Sequence, residues 1–311
     1  MGNQWSVLSQ MFPPKPRWGV DDIPDLSGKV MVVTGGNTGV GKETVKALLQ
    51  HGAKVYIATR NKEKSVAAID DLKKETGKEA IYLSLDLADL SSVKRAAQEF
   101  LSKEDKLHVL FNNAAVMACP IDPLTQQGYD MQFGTNVVGH FYFAELLLPA
   151  LLAIASTNPG EKARVVTTSS SANYLTTLDW NAFVDSPQRK SMGLDELYNQ
   201  SKHGNVVVAR ELARRYGHQG IVSISVNPGN LRTELQRYLT GARKFIISQI
   251  LYPASMGALT QLYAGTAPQA ADLNGQFLIP WARLGEARKE TGDPAIGTKL
   301  WEWLEEQCKN I

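Results

Sequence analysis

Cysteine is scarce in this chain: there are two in 311 residues, Cys119 and Cys308. Their wide separation excludes a disulfide framework and a thiol metal-binding spacing, and leaves them as free thiols of a reducing compartment. A charge imbalance is also missing. Lys and Arg number 33 against 31 Asp and Glu, for a net charge of +2, and the signs are interspersed, so no nucleic-acid partner is expected. No secretory apolar run follows Met1. The longest apolar stretch, 144–155, is too short to span a bilayer and contains Glu145 and Pro149. Internal repeats and low-complexity tracts are absent as well. What remains is 43% hydrophobic and 21% charged, the composition of an ordinary globular protein, for which a cytoplasmic location is expected.

Residues 1–27 form a proline-rich lead with Pro13, Pro14, Pro16 and Pro24. Trp5, Phe12 and Trp18 are expected to pack it on the domain surface. Its start, Met1-Gly2-Asn3-Gln4-Trp5-Ser6, fits the pattern for myristoylation of Gly2. The alternative is an unstructured start, and one acyl chain gives only marginal membrane binding. The lead is expected to serve location or stability more than chemistry.

From residue 28 onward strands and helices alternate. The pattern predicts strands over 29–33, 53–58, 80–85, 107–111, 163–168 and 221–226, and helices over 42–51, 62–76, 89–102, 129–148 and 196–216. That alternation predicts an α/β fold of the Rossmann type, doubly wound, with about seven parallel strands flanked by helices in one domain, 28–311.

Two features carry chemistry. The turn Thr34-Gly35-Gly36-Asn37-Thr38-Gly39-Val40-Gly41 follows an apolar strand and opens a helix. Gly35 permits a tight bend, Gly39 lets backbone approach a pyrophosphate, and Gly41 lets helix pack on sheet, with the helix N-terminus facing the phosphates. A turn that only makes a tight connection is the alternative. Far downstream, Tyr198 and Lys202 stand at i and i+4 on one helix face. A nearby ammonium lowers a phenol's pKa from its usual ~10, so the pair can exchange a proton at neutral pH. The alternative there is a solvated helix face. Between them the second strand ends Ala58-Thr59-Arg60-Asn61-Lys62. No acid is present for the ribose hydroxyl of NAD, and Arg60 can meet a 2′-phosphate. NADP(H) is therefore favoured over NAD(H), unless Arg60 is merely a surface charge.

With these residues the chain resembles the short-chain dehydrogenase/reductase family over roughly 26–280. Asp86 in Ser84-Leu85-Asp86-Leu87 matches the family's adenine-contacting acid. Asn112-Asn113-Ala114-Ala115 matches its Asn-Asn-Ala-Gly motif, with Ala115 in place of the last glycine. The resemblance implies a catalytic tetrad of Asn136, Ser170, Tyr198 and Lys202, with Ser169 as the alternative to Ser170. In that scheme Asn136 holds a water that passes protons through Lys202. The resemblance also places Asn112, Ala114, Leu87, Pro228, Gly229 and Thr233 at the cofactor. Within the family the chain is most similar to the retinol dehydrogenase and WW-domain oxidoreductase group, through 112–120 and Arg210-Glu211-Leu212-Ala213-Arg214-Arg215. The lead from Phe12 to Trp18 resembles fungal members, hence a setting in secondary metabolism.

The family further implies carbonyl–alcohol interconversion on a lipophilic alcohol, ketone or aldehyde. The substrate wall is expected from Met117, from Tyr174 and Met192 in the long insertion 171–197, which carries Trp180 and Phe183, and from Leu231. The range 231–255 alternates basic and apolar residues, among them Leu235, Leu239, Phe245, Ile246, Ile247, Ile250 and Leu251. It reads as a substrate lid, with a homodimer contact or a weak membrane contact as alternatives. Leu300-Trp301-Glu302-Trp303-Leu304 is expected to be a packing helix. Two other functions stay open: a cofactor-binding redox-sensing interaction module, and an epimerase or dehydratase on the same scaffold.

Overall fold

Short β-branched runs build the centre of the sheet. In the computed structural model, which describes residues 9–158, 160–231 and 251–311, these are β1 Val30–Thr34, β2 Lys54–Thr59, β3 Ile81–Ser84, β4 Val109–Asn112, β5 Ala163–Thr168 and β6 Ile221–Val226. Every residue of β6 is buried, as parallel strands covered on both faces require. Two strands of three residues extend the sheet, β7 Phe277–Ile279 and β8 Arg283–Gly285. The order is β3-β2-β1-β4-β5-β6-β7-β8; β8 alone runs antiparallel to its neighbour. The sheet thus holds eight strands, seven of them parallel.

The two faces carry separate cores, and the period of two in the strands sorts the residues between them. Val32, Leu110 and Val165 face one core; Met31, Val33, Phe111 and Val166 face the other. Helices cover both: α1 Gly39–Gln50, α2 Lys62–Thr76, α3 Leu90–Leu101, α4 Gly139–Thr157, α5 Leu194–Tyr216, α6 Ala254–Thr266 and α7 Pro294–Cys308. The limits of α2 are set locally. The Asn61 side chain accepts from Lys64 N at 2.7 Å, and Gly77 ends the helix at φ +70°.

The apolar helix expected over 129–148 is longer and less regular. It comprises a turn at Met131–Phe133, a π-helical stretch Gly134–Val138, and α4, which carries Pro149 inside it and ends at Thr157. Met131–Thr157 spans 27 residues and is long and apolar enough to cross a membrane, yet 72% of its most apolar window is buried in the protein. It is a core helix. The C-terminal α7 packs as expected: Leu300, Trp301 and Leu304 are buried, and Trp301 meets Phe141 edge-on at 4.9 Å.

Within the lead, Ile23 and Leu26 enter the core and Trp18 meets Tyr263 edge-on at 5.4 Å. Phe12 does not pack; it is 62% exposed. Gly2, Trp5, Thr233, Leu235, Leu239, Phe245, Ile246, Ile247 and Ile250 lie outside the described residues. The last part of the expected lid range is the start of α6.

Candidate active site

The strand order reverses between β1 and β4, and in such sheets a crevice opens beyond the carboxyl ends of the strands. A cavity of about 740 Å³ lies there. The glycine turn forms part of its wall. Gly35 and Gly39 have φ of +67° and +52°, a region that other residues rarely adopt. A Cβ on Gly41 would overlap the carbonyl of Gly35 and the Asn113 amide, so this position admits no side chain. Thr38 precedes α1 without a side-chain cap, which leaves the first-turn N–H groups for an anion. Thr34 fastens the turn to the end of β4: its Oγ1 accepts from Asn113 N and Ala114 N, each at 2.9 Å.

Most of the residues singled out in the sequence share this wall. Gly35, Asn37, Thr38, Gly39, Val40 and Gly41 line it, as do Arg60, Asp86, Leu87 and Ala114. Ser170, Tyr198, Lys202, Pro228, Gly229, Met117 and Leu231 line it too. Four do not. Asn112 ends β4 pointing away and borders a separate small cavity with Val137 and His140; its neighbour Asn113 takes the wall position. Tyr174 turns its hydroxyl to Glu286 O, and Met192 packs with Ala182 and Leu197. Both belong to the insertion, which folds back into the protein: Phe183 stacks on Phe133 at 3.8 Å. Asn136 stands fully buried behind the wall.

The polar groups near Tyr198 divide their work by geometry. Ser169 Oγ donates to Lys202 O at 2.7 Å, so its hydroxyl is committed to structure. Ser170 faces Tyr198 and hydrogen-bonds it. Lys202 Nζ donates to Thr168 O at 2.9 Å and lies 5.7 Å from the centre of the Tyr198 ring. Burial pushes the Tyr198 phenol up, with the Ser170 hydrogen bond opposing it. Burial pushes Lys202 down to about 7. In this geometry the Ser170 hydrogen bond lowers the phenol's pKa against the effect of burial.

Asn136 acts as a splint. Its Oδ1 accepts from Val116 N at 2.9 Å, and its Nδ2 donates to Val116 O and Ser201 Oγ, each at 3.0 Å. Its carbonyl accepts from His140 Nδ1 at 3.1 Å. Burial holds the His140 pKa down at about 3, so the ring is neutral; Nδ1 carries the proton and Nε2 accepts from Thr34 Oγ1 at 2.8 Å. The side chain therefore fixes Val116 beside the cavity.

Leu251, expected as part of a lid, lines the cavity as well, and sequence reasoning missed Lys64, Met11, Met131, Leu175 and Asp195, which do so too. Lys64 was findable, being one helical turn after Arg60. Met11 carries no local signal, because only the folded chain brings it there.

The profile of the short chain dehydrogenase family matches residues 29–244. The chain is a short-chain dehydrogenase/reductase. A short-chain dehydrogenase/reductase of Armillaria gallica is 68% identical to it over 310 residues, covering 100% of both chains. An uncharacterised oxidoreductase of Schizosaccharomyces pombe is 39% identical over 291 residues, covering 90% of this chain and 85% of the other. Among solved structures, a protein from Mycobacterium paratuberculosis is 29% identical with a TM-score of 0.74, covering 94% of this short-chain dehydrogenase and 97% of its own chain. RhlG of Pseudomonas aeruginosa, solved as a complex with NADP, shares the fold at 22% identity and a TM-score of 0.66, covering 82% and 95%.

Proposed function

We propose that this short-chain dehydrogenase/reductase interconverts a carbonyl and an alcohol on a lipophilic small molecule with NADP(H), Tyr198 serving as general acid/base. One observation carries the reading: Tyr198, hydrogen-bonded to Ser170 and with the Lys202 ammonium 5.7 Å from its ring, opens onto the same cavity as the glycine turn. The turn fits a dinucleotide, since Gly41 leaves no room for a Cβ and no side chain caps α1 among the described residues. A nicotinamide bound there supplies or accepts the hydride. The protein's own part is the proton. Because burial raises its pKa, Tyr198 is protonated at neutral pH and ready to donate to a carbonyl oxygen as negative charge grows on it. Ser170 holds that oxygen in place. Lys202, near neutrality, supplies the charge that steadies the resulting phenolate. Met117, Met131, Leu175, Leu231 and Leu251 add apolar side chains to the lining, which favours a lipophilic substrate.

Choice of cofactor follows from the end of β2. Arg60 and Lys64 both line the cavity there, and no acid stands at Thr59. Arg60→Ala should weaken NADPH binding by about ten- to a hundredfold, the range for losing a charge-assisted hydrogen bond, and leave NADH binding nearly intact. Thr59→Asp should shift preference toward NADH. Titration of each nucleotide by fluorescence decides this, and equal losses for both on Arg60→Ala count against it. The reaction itself is tested by NADPH oxidation with a panel of ketones and aldehydes, one alcohol formed per NADPH consumed. Turnover of a substrate with no net cofactor oxidation would point instead to epimerisation or dehydration.

A further inference from the structure

The first described residues of the lead are tied down by specific contacts. Gln10 is 2% exposed. Its Nε2 donates to Tyr174 Oη at 3.1 Å and its Oε1 accepts from Asn227 Nδ2 at 2.7 Å. Arg283 Nη2 donates to Ser9 O at 3.0 Å. Residues 9 and 10 are thus held by the turn after β5, the end of β6 and the β7–β8 hairpin. These attachments lie next to the chemistry. Tyr174 follows Ser170 on the same turn, a 3-10 helix over Ser171–Tyr174 whose start Ser170 caps. Asn227 Oδ1 accepts from Gly229 N at 2.9 Å, and Gly229 lines the cavity. The next residue of the lead, Met11, lines the same cavity. A buried amide spent on two side chains at the active-site rim is a costly way to hold a mere spacer. It is an effective way to hold a wall.

We propose that the lead completes the substrate pocket, with Met11 setting the size of substrate accepted and Gln10 positioning it through Asn227 and Tyr174. Gln10 touches no reacting atom in this scheme. Met11 presents a flexible apolar side chain, suited to an alkyl or ring portion of the substrate. The inference rests on the carbonyl–alcohol reading for its kinetic arm and is independent of it for its binding arm.

The kinetic arm uses the full chain with NADPH and the straight-chain 2-alkanones from 2-butanone to 2-dodecanone. Met11→Ala should shift the ratio of kcat/KM for long over short ketones upward by about tenfold, and Met11→Trp should shift it downward by about as much, the scale of a few methylenes in an apolar pocket. Gln10→Leu should raise KM for every ketone while kcat and NADPH affinity hold, whereas Gln10→Glu, which still accepts from Asn227, should recover part of the loss. A merely structural role would lower the active fraction and leave KM and the chain-length ratio unchanged. The binding arm uses the neutral dye N-phenyl-1-naphthylamine, which requires no turnover. Met11→Trp should weaken its binding by about tenfold with NADPH affinity kept; Met11→Ala serves if the larger side chain prevents folding. Unchanged dye affinity and an unchanged chain-length ratio in the Met11 variants would overturn the proposal, as would a parent protein that binds no dye. If the parent reduces no ketone while dye binding still follows Met11, the reductase reading fails and the wall stands.

Discussion

Tyr198→Phe should lower turnover by roughly 10²–10⁴-fold, the usual contribution of general acid–base catalysis, while the protein stays folded and binds NADPH as before. The change removes one hydroxyl from a side chain that is 8% exposed. The ring keeps its packing, and Ser170 loses a partner but keeps its bond from Ala172 N. Binding and chemistry therefore separate cleanly. The measurement is NADPH affinity together with single-turnover reduction of a ketone that the parent accepts. A variant as fast as the parent, with hydride transfer shown to limit the rate, would sink the proposed role.

Lys202→Met should do two opposite things. Activity and NADPH affinity should fall together, because the same ammonium would steady the phenolate and meet the cofactor ribose. Stability without cofactor should rise. The lysine is 2% exposed, and burial lowers its pKa from 10.5 to about 7. Above its unfolded value the amine is neutral in both states and costs nothing. As pH falls from there toward 7 the unfolded chain takes up a proton that the folded one resists, so the folded state loses stability; below 7 the penalty is constant. At ~1.4 kcal/mol for each pH unit that separates the folded from the unfolded value, the gain on substitution is several kcal/mol at pH 6.5, shrinking toward pH 10. The acceptor left behind is not orphaned, because Thr168 O also accepts from Asn205 Nδ2 at 3.2 Å. Urea denaturation of parent and variant at pH 6.5 and 9 checks this. A variant less stable than the parent at the lower pH would contradict it. Such a split is the trade between stability and function found at active sites.

Local signals made much of this molecule legible. The helix expected over 62–76 is α2 residue for residue, since Asn61 and Gly77 mark its ends by side-chain chemistry and by backbone freedom. The strands over 163–168 and 221–226 match β5 and β6 because each is rich in β-branched residues and is preceded by a glycine turn. Where signals were long-range, the sequence was mute. The helix α6 is apolar on nearly all sides, so it shows no period to read. β7 and β8 are three residues each, shorter than any pattern. Asn112 and Asn113 differ only in which way a strand end turns them, and the insertion carrying Tyr174 and Met192 turns inward because Phe183 finds Phe133. Gln10 is the extreme case, held by partners 164 and 217 residues away, and Met11 reaches the cavity with it.

Beyond β6 the chain leaves the described scaffold at Leu231 and rejoins it at Tyr252. These two residues pair with each other, and Tyr252 N donates to Asn230 O at 2.8 Å. The two stretches therefore share one anchoring point beside the cavity. Leu231 and Leu251, which reach the cavity from two separate stretches of chain, are thereby held by the same backbone contact.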